Sequence, residues 1–206
     1  MFGIDIKYNE VTRIMVTSSV SHVALLTHHP ETPCLLVRQI DARVRWVEPE
    51  RLCLAYTVCG DITRLRIPLT QQPRRVDGLW QHTCFELFIA VREEPTYYEF
   101  NFSPSGEWAA YAFKSYRDGG PIEDDGLHPE IVVRSAANNF ELEAFVRLDR
   151  FLSITPQAEL RLGLSAVVEE NDGAISYWAL KHPPGKPDFH HPDSFALELA
   201  LSDQRA

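Results

Sequence analysis

The chain has 206 residues, 45% of them hydrophobic and 24% charged, with a formal net charge of −9. Such a composition belongs to globular rather than disordered chains. The acidic balance speaks against nucleic acid or an anionic membrane surface as a partner, because both call for a basic face. A chain of this length suits one domain burying roughly 70% of its unfolded surface, with no staple required.

Residues 1–20 show no sustained period, which predicts a flexible amino-terminal extension ahead of a single domain over 21–202. Charges occupy the place where a secretory leader would carry its apolar core, so a cytoplasmic location is expected. Arg38, Ile40, Ala42, Val44 and Trp46 then alternate with Gln39, Asp41, Arg43 and Arg45. A Glu-Pro-Glu turn at 48–50 leads into Leu52, Leu54, Tyr56 and Val58, completing a hairpin. Residues 83–91 are almost continuously apolar, as in a central strand covered on both faces. Strands over 97–103 and 108–114 flank Pro104-Ser105-Gly106, a compact turn.

Residues 118–129, with two glycines and a run of acids, read as an exposed loop. Strands at 131–134 and 140–148 meet at Asn138-Asn139. The span 147–155 holds at most one helical turn. Leu160, Leu162, Leu164, Ala166 and Val168 alternate with polar or small residues, and Asn171-Asp172-Gly173 turns the chain into 175–180. A last strand covers 195–199. About ten short strands separated by turn residues predict an all-β, two-sheet antiparallel β-sandwich, of jelly-roll or immunoglobulin-like type. Cys34, Cys53, Cys59 and Cys84 form no C-x-x-C pair. Cys53 and Cys59 sit about 20 Å apart along one strand, beyond disulfide reach, so reduced thiols are expected.

Three segments carry a family resemblance: LWQHTCFELF at 79–88, YEFNFSPSGEW at 98–108 and YWALKHPPGKPDFHHP at 177–192. They resemble the bacterial DOMON-like domain proteins, relatives of family 9 carbohydrate-binding modules. In the carbohydrate-binding relatives a tryptophan precedes a strand bearing a glutamate, as Trp80 precedes Glu86. The acidic pair that follows that tryptophan in those modules is replaced here by Gln81-His82. The resemblance implies a β-sandwich that binds sugar or haem. For Met–His haem ligation the chain offers only Met1 and Met15, both in the extension, so no cofactor is expected.

Strand parity sharpens the site. His82, Cys84, Glu86 and Phe88 share one face of the central strand, and Tyr97, Glu99, Asn101 and Ser103 share one face of the next. If those faces coincide, two carboxylates and an amide converge beside Trp80 and Trp108, a combination suited to stacking and hydrogen-bonding a sugar. The stretch 181–192, with four prolines and a glycine, is a stiff loop carrying Lys186, Asp188 and His190, expected either as the rim of a cleft or as structural cover over one end of the sandwich. Its histidines and Asp188 match no metal motif, and no metal site is expected. A non-catalytic module for a carbohydrate-like small molecule is the leading expectation. A hydrolase using Glu86 and Glu99 as acid and base, or a protein-interaction scaffold, are the alternatives.

Overall fold

A computed structural model of the chain describes residues 21–48, 50–151, 154 and 158–200. The expected extension over 1–20, and the last two residues of the expected domain, lie outside the described residues. Twelve strands follow in chain order. The first six are β1 (Ser21–His28), β2 (Val37–Glu48), β3 (Arg51–Gly60), β4 (Cys84–Val91), β5 (Tyr97–Phe102) and β6 (Trp108–Ser115). They are followed by β7 (Asp118–Pro121), β8 (Glu130–Ala136), β9 (Asn139–Arg147), β10 (Glu159–Glu169), β11 (Ile175–Ala179) and β12 (Leu197–Ala200).

All strand pairings are antiparallel. One layer runs β1-β2-β3-β9-β8 and the other β7-β6-β5-β4-β10-β11, with β12 beside β11 on β10. The layers join at β1, whose residues 21–26 pair with β2 while Thr27 and His28 pair with β11. Only 3-10 turns accompany the strands among the described residues; within 147–155, of which 152, 153 and 155 lie outside the described residues, Phe151 N–H donates to the Leu148 carbonyl and Ile154 N–H to the Phe151 carbonyl.

Alternation explains the interior. Leu52, Leu54, Tyr56 and Val58 face inward from β3, and Phe85, Leu87 and Ile89 face them from β4. Tyr56 lies 5.0 Å from Phe85, which in turn stacks on Phe140 at 5.7 Å, so rings from both sheets interdigitate as sandwich layers do. The Tyr56 hydroxyl also crosses the interior, donating to the Glu86 carbonyl at 2.6 Å. All four cysteines are free thiols.

Two expectations change. Parity placed Arg38 on the inner face, but a register shift between Val37 and Gln39 turns Val37 inward and Arg38 to solvent. The partner is Gly60, where a side-chain carbon would stand 2.2 Å from the Leu36 carbonyl oxygen. The stretch expected as a loop over 118–129 begins with β7, paired to β6. Its glycines disguise a strand: a Cβ on Gly119 would fall 2.0 Å from the Ala112 oxygen, so only bare backbone approaches so closely.

Candidate functional site

Register brings the carboxyl groups together. Glu86 stands opposite Asn101 and Phe88 opposite Glu99, and directly paired residues share a face. Ser165 of β10 flanks Glu86 on the other side, while Tyr111 of β6 stands opposite Glu99. This face points away from the sandwich interior. It is roofed by the loop after β11, whose Phe189 and Phe195 form a second apolar cluster with Phe88, Tyr97, Val167 and Ala179. The central strand β4 is thus covered on both sides, once by the opposing sheet and once by this roof.

Between roof and sheet lies a cleft of about 560 Å³, within the range typical of small-molecule sites. Glu86 and Glu99 line its floor, with Trp80, Tyr111, Phe113 and Tyr177 around them and Gly119 and Gly120 of β7 along one side. Both carboxyl groups are buried, at 2% and 5% exposure. Glu86 accepts from the Ser165 hydroxyl at 3.3 Å, and Glu99 accepts from the Asn101 amide at 2.9 Å. Burial, then the neighbouring Glu99 charge, pushes the Glu86 carboxyl well above the ordinary range. Burial raises Glu99 to about 7 against the opposing pull of Asn101 and Arg117. The floor therefore offers two carboxyls whose protonated forms burial favours, with Glu99 ionising near neutral pH.

His190 roofs this floor. The Tyr97 hydroxyl accepts the Arg117 backbone N–H at 3.0 Å and shares a hydrogen bond with His190 Nδ1 at 2.9 Å. The other ring nitrogen, Nε2, faces the Glu99 carboxyl at 3.6 Å. Burial, then the Arg117 charge, lowers His190 to about 4, so the imidazole is neutral at physiological pH. Arg117 occupies a left-handed turn position, with φ of 56°. Its guanidinium is held by Asp188 at 2.8 Å, and Asp188 also accepts from the Tyr116 hydroxyl at 2.6 Å and the His190 N–H at 3.1 Å.

Of the residues expected at the site, Trp80, Glu86, Glu99, Lys186 and His190 line the cleft. Four expectations are corrected. Trp108 stands opposite Phe102 and points into the sandwich interior, 1% exposed, so it is a core residue. His82 lies at the end of the Glu86 face but is drawn aside to Glu169 at 2.8 Å, a carboxylate shared with Arg66. Asn101 sits beneath the floor, orienting Glu99 without reaching the cavity. Asp188 stands behind the wall, spent on Arg117, Tyr116 and the His190 backbone. The histidines of the loop diverge: His182 faces the Thr27 carbonyl and His191 caps the turn at Pro192–Ser194. Among the described residues no three metal-ligating side chains converge.

Tyr111, Phe113, Arg117 and Tyr177 were missed. Tyr177 is adjacent in its strand to Trp178, which is 3% exposed in the core, so alternation turns Tyr177 to the other face. Tyr111 and Phe113 carry the same signal once Trp108 is inside. Arg117 had none, because a turn position defines no face.

No family model matches the sequence, and a search of curated proteins finds no match. Solved structures do match. A "putative carbohydrate-binding protein" from Bacteroides uniformis superposes with a TM-score of 0.60 at 13% identity, covering 84% of this chain and 83% of that one. A family 9 carbohydrate-binding module from Caldicellulosiruptor kristjanssonii, in complex with cellotriose, gives a TM-score of 0.51 at 10% identity over 80% of this chain and 74% of that one. At such identities the likeness speaks to architecture alone, and on that ground the chain has the β-sandwich fold of the family 9 carbohydrate-binding modules.

Proposed function

We propose that the protein binds a carbohydrate, without chemical turnover, in the cleft floored by Glu86 and Glu99. The observation that carries this reading is a buried pair of hydrogen-bonding carboxyl groups ringed by aromatic side chains in a cavity open to solvent. The C–H faces of a sugar ring stack on Trp80, Tyr111 or Tyr177, while its hydroxyls exchange hydrogen bonds with the carboxyls and the Nε2 of His190. The three DOMON-like segments all reach this cleft, contributing Trp80 and Glu86, then Glu99, then Tyr177, Lys186 and His190. A module of the same fold that was crystallised with cellotriose adds support.

Tryptophan fluorescence provides the test. Trp46, Trp108 and Trp178 are 1–3% exposed, whereas Trp80 is 51% exposed and lines the cleft. Titration with neutral, amino and acidic oligosaccharides is expected to shift the emission, and Trp80→Phe should abolish most of that response. Trp80→Ala is expected to weaken binding by roughly two- to tenfold, the worth of one aromatic contact. Neither emission change nor calorimetric heat across the whole panel overturns the proposal. Hydrolysis of a glycoside that is lost in Glu86→Gln would replace it with an enzymatic role.

A further inference from the structure

The cleft floor is short of positive charge. Among the described residues neither Glu86 nor Glu99 forms an ion pair with a lysine or arginine; the nearest basic group to Glu99 is His190 at 3.6 Å, which burial keeps neutral. Arg117 lines the cleft, but its guanidinium is bound to Asp188 at 2.8 Å. Lys186 lies on the exposed rim. Beneath the floor Asn101 donates an amide N–H to Glu99 and leaves its Oδ1 buried without a partner. Around these groups stand the ring faces of Trp80, Phe88, Tyr111 and Phe113.

Two buried carboxyls that feel the Arg117 charge but form no ion pair with a lysine or arginine among the described residues, enclosed by aromatic rings, can still take a compact cation. An ammonium group supplies three N–H donors and a positive charge, and it is attracted by aromatic faces as well as by carboxylates. Resting on the carbohydrate reading above, we infer that the ligand is an amino sugar whose ammonium group sits over the Glu86–Glu99 floor. A neutral sugar can hydrogen-bond there but leaves the charge of an ionised Glu99 uncompensated. A uronic acid would bring a third carboxylate to the same floor.

Binding of a cation should draw a proton out of the floor. Burial holds Cys84, Tyr56, Tyr97 and Tyr111 protonated, and Arg117 stays charged. Glu99, with its value of about 7, is then the facing group that titrates near neutrality. An ammonium stabilises its ionised form, so part of a proton is released as the complex forms.

The experiment is calorimetric titration at pH 6, where the amino sugar is already charged and takes up no compensating proton, with the glucosamine dimer, the N-acetylglucosamine dimer, cellobiose and a diuronic acid. Each is run in two buffers of different ionisation heat to count protons. The amine is expected to bind about tenfold or more tightly than the acetylated and neutral dimers, with proton release for the amine alone. Glu99→Gln is expected to reduce the ratio of amine to acetylated affinity to about twofold, the residue of a lost charge-assisted bond. A ratio that stays unchanged in both Glu99→Gln and Glu86→Gln overturns the assignment. Equal affinity for the amino and acetylated dimers, or preference for the diuronic acid, overturns it while leaving the carbohydrate reading intact. Failure of every dimer to bind counts against the carbohydrate reading itself, and the inference falls with it.

Discussion

At pH 8 the Glu99→Gln variant is expected to melt roughly 6–12 °C above the wild-type protein, with the gap closing as pH falls toward 4.5. Burial raises the Glu99 carboxyl from an ordinary value of 4.5 to about 7 in the folded protein. Between those values the folded state holds a proton that the unfolded state has released, so stability is fully present below about pH 4.5 and is lost as pH rises through 7. Each pH unit of that difference is worth about 1.4 kcal/mol, which puts the loss on the order of 3 kcal/mol. For a domain of this size 1 kcal/mol moves the melting temperature by about 2–4 °C. Glutamine keeps the shape and can still accept from Asn101, but never ionises.

His190 acts in the opposite direction. Its folded value is lowered from 6.5 to about 4, so its contribution is present above 6.5 and is lost as pH falls toward 4. The two effects mask one another in the wild-type profile, and for that reason the measurement is the difference between variant and wild type across pH. A difference that stays flat from pH 4.5 to 8 would show that Glu99 is solvated in solution.

The second large effect is expected at Phe195, the anchor of the roof. Its ring packs edge-on against Phe88 at 5.7 Å and Tyr97 at 5.5 Å, over the bare backbone of Gly163, where a Cβ would stand 3.4 Å from it. Arg161 fastens the same segment by donating to the carbonyls of Pro192 and Phe195. Phe195→Ala removes a buried ring from a cluster that cannot fully collapse, at a cost of about 3–5 kcal/mol. The melting temperature should fall by roughly 6–20 °C, and ligand affinity should drop with it because Phe88 and Tyr97, which pack on both Phe195 and His190, lose a neighbour. A cost below about 1 kcal/mol together with rapid proteolysis within 183–195 would show instead that the roof opens independently of the sandwich.

Much of the sandwich could be read from alternation. The β10 strand appears where period-two patterning put it, β4 where a nearly continuous apolar run put it, and β5 and β11 next to the turn signals that bounded them. The strand β7 escaped notice because its Asp-Gly-Gly-Pro sequence has no side-chain period at all; its pairing rests on how closely bare backbone can approach β6. At the site, parity assigned Glu86, Glu99 and Asn101 to one face correctly but could not tell whether that face met water, the second sheet or a loop. Trp108 was misjudged for the same reason, since the register of β6 against β5 decides which of two adjacent aromatic-rich faces turns inward. The composition of the proline-rich segment fits a wall and a structural cover equally, because stiffness alone does not say what lies beneath it. Which of its side chains reach the cavity depended on Arg117, a residue sequence alone did not single out.

The way β1 divides its hydrogen bonds between both layers gives the molecule a spine, as in a book. From β8 through β1 to β7 the backbone bonding is unbroken, so the covers can part at the fore-edge by loosening side-chain packing alone, whereas parting them at the spine tears the ladder. The cleft lies outside both covers, between the outer face of one and the loop above it, so loosening at the fore-edge leaves its floor on the paired strands β4 and β5 in place.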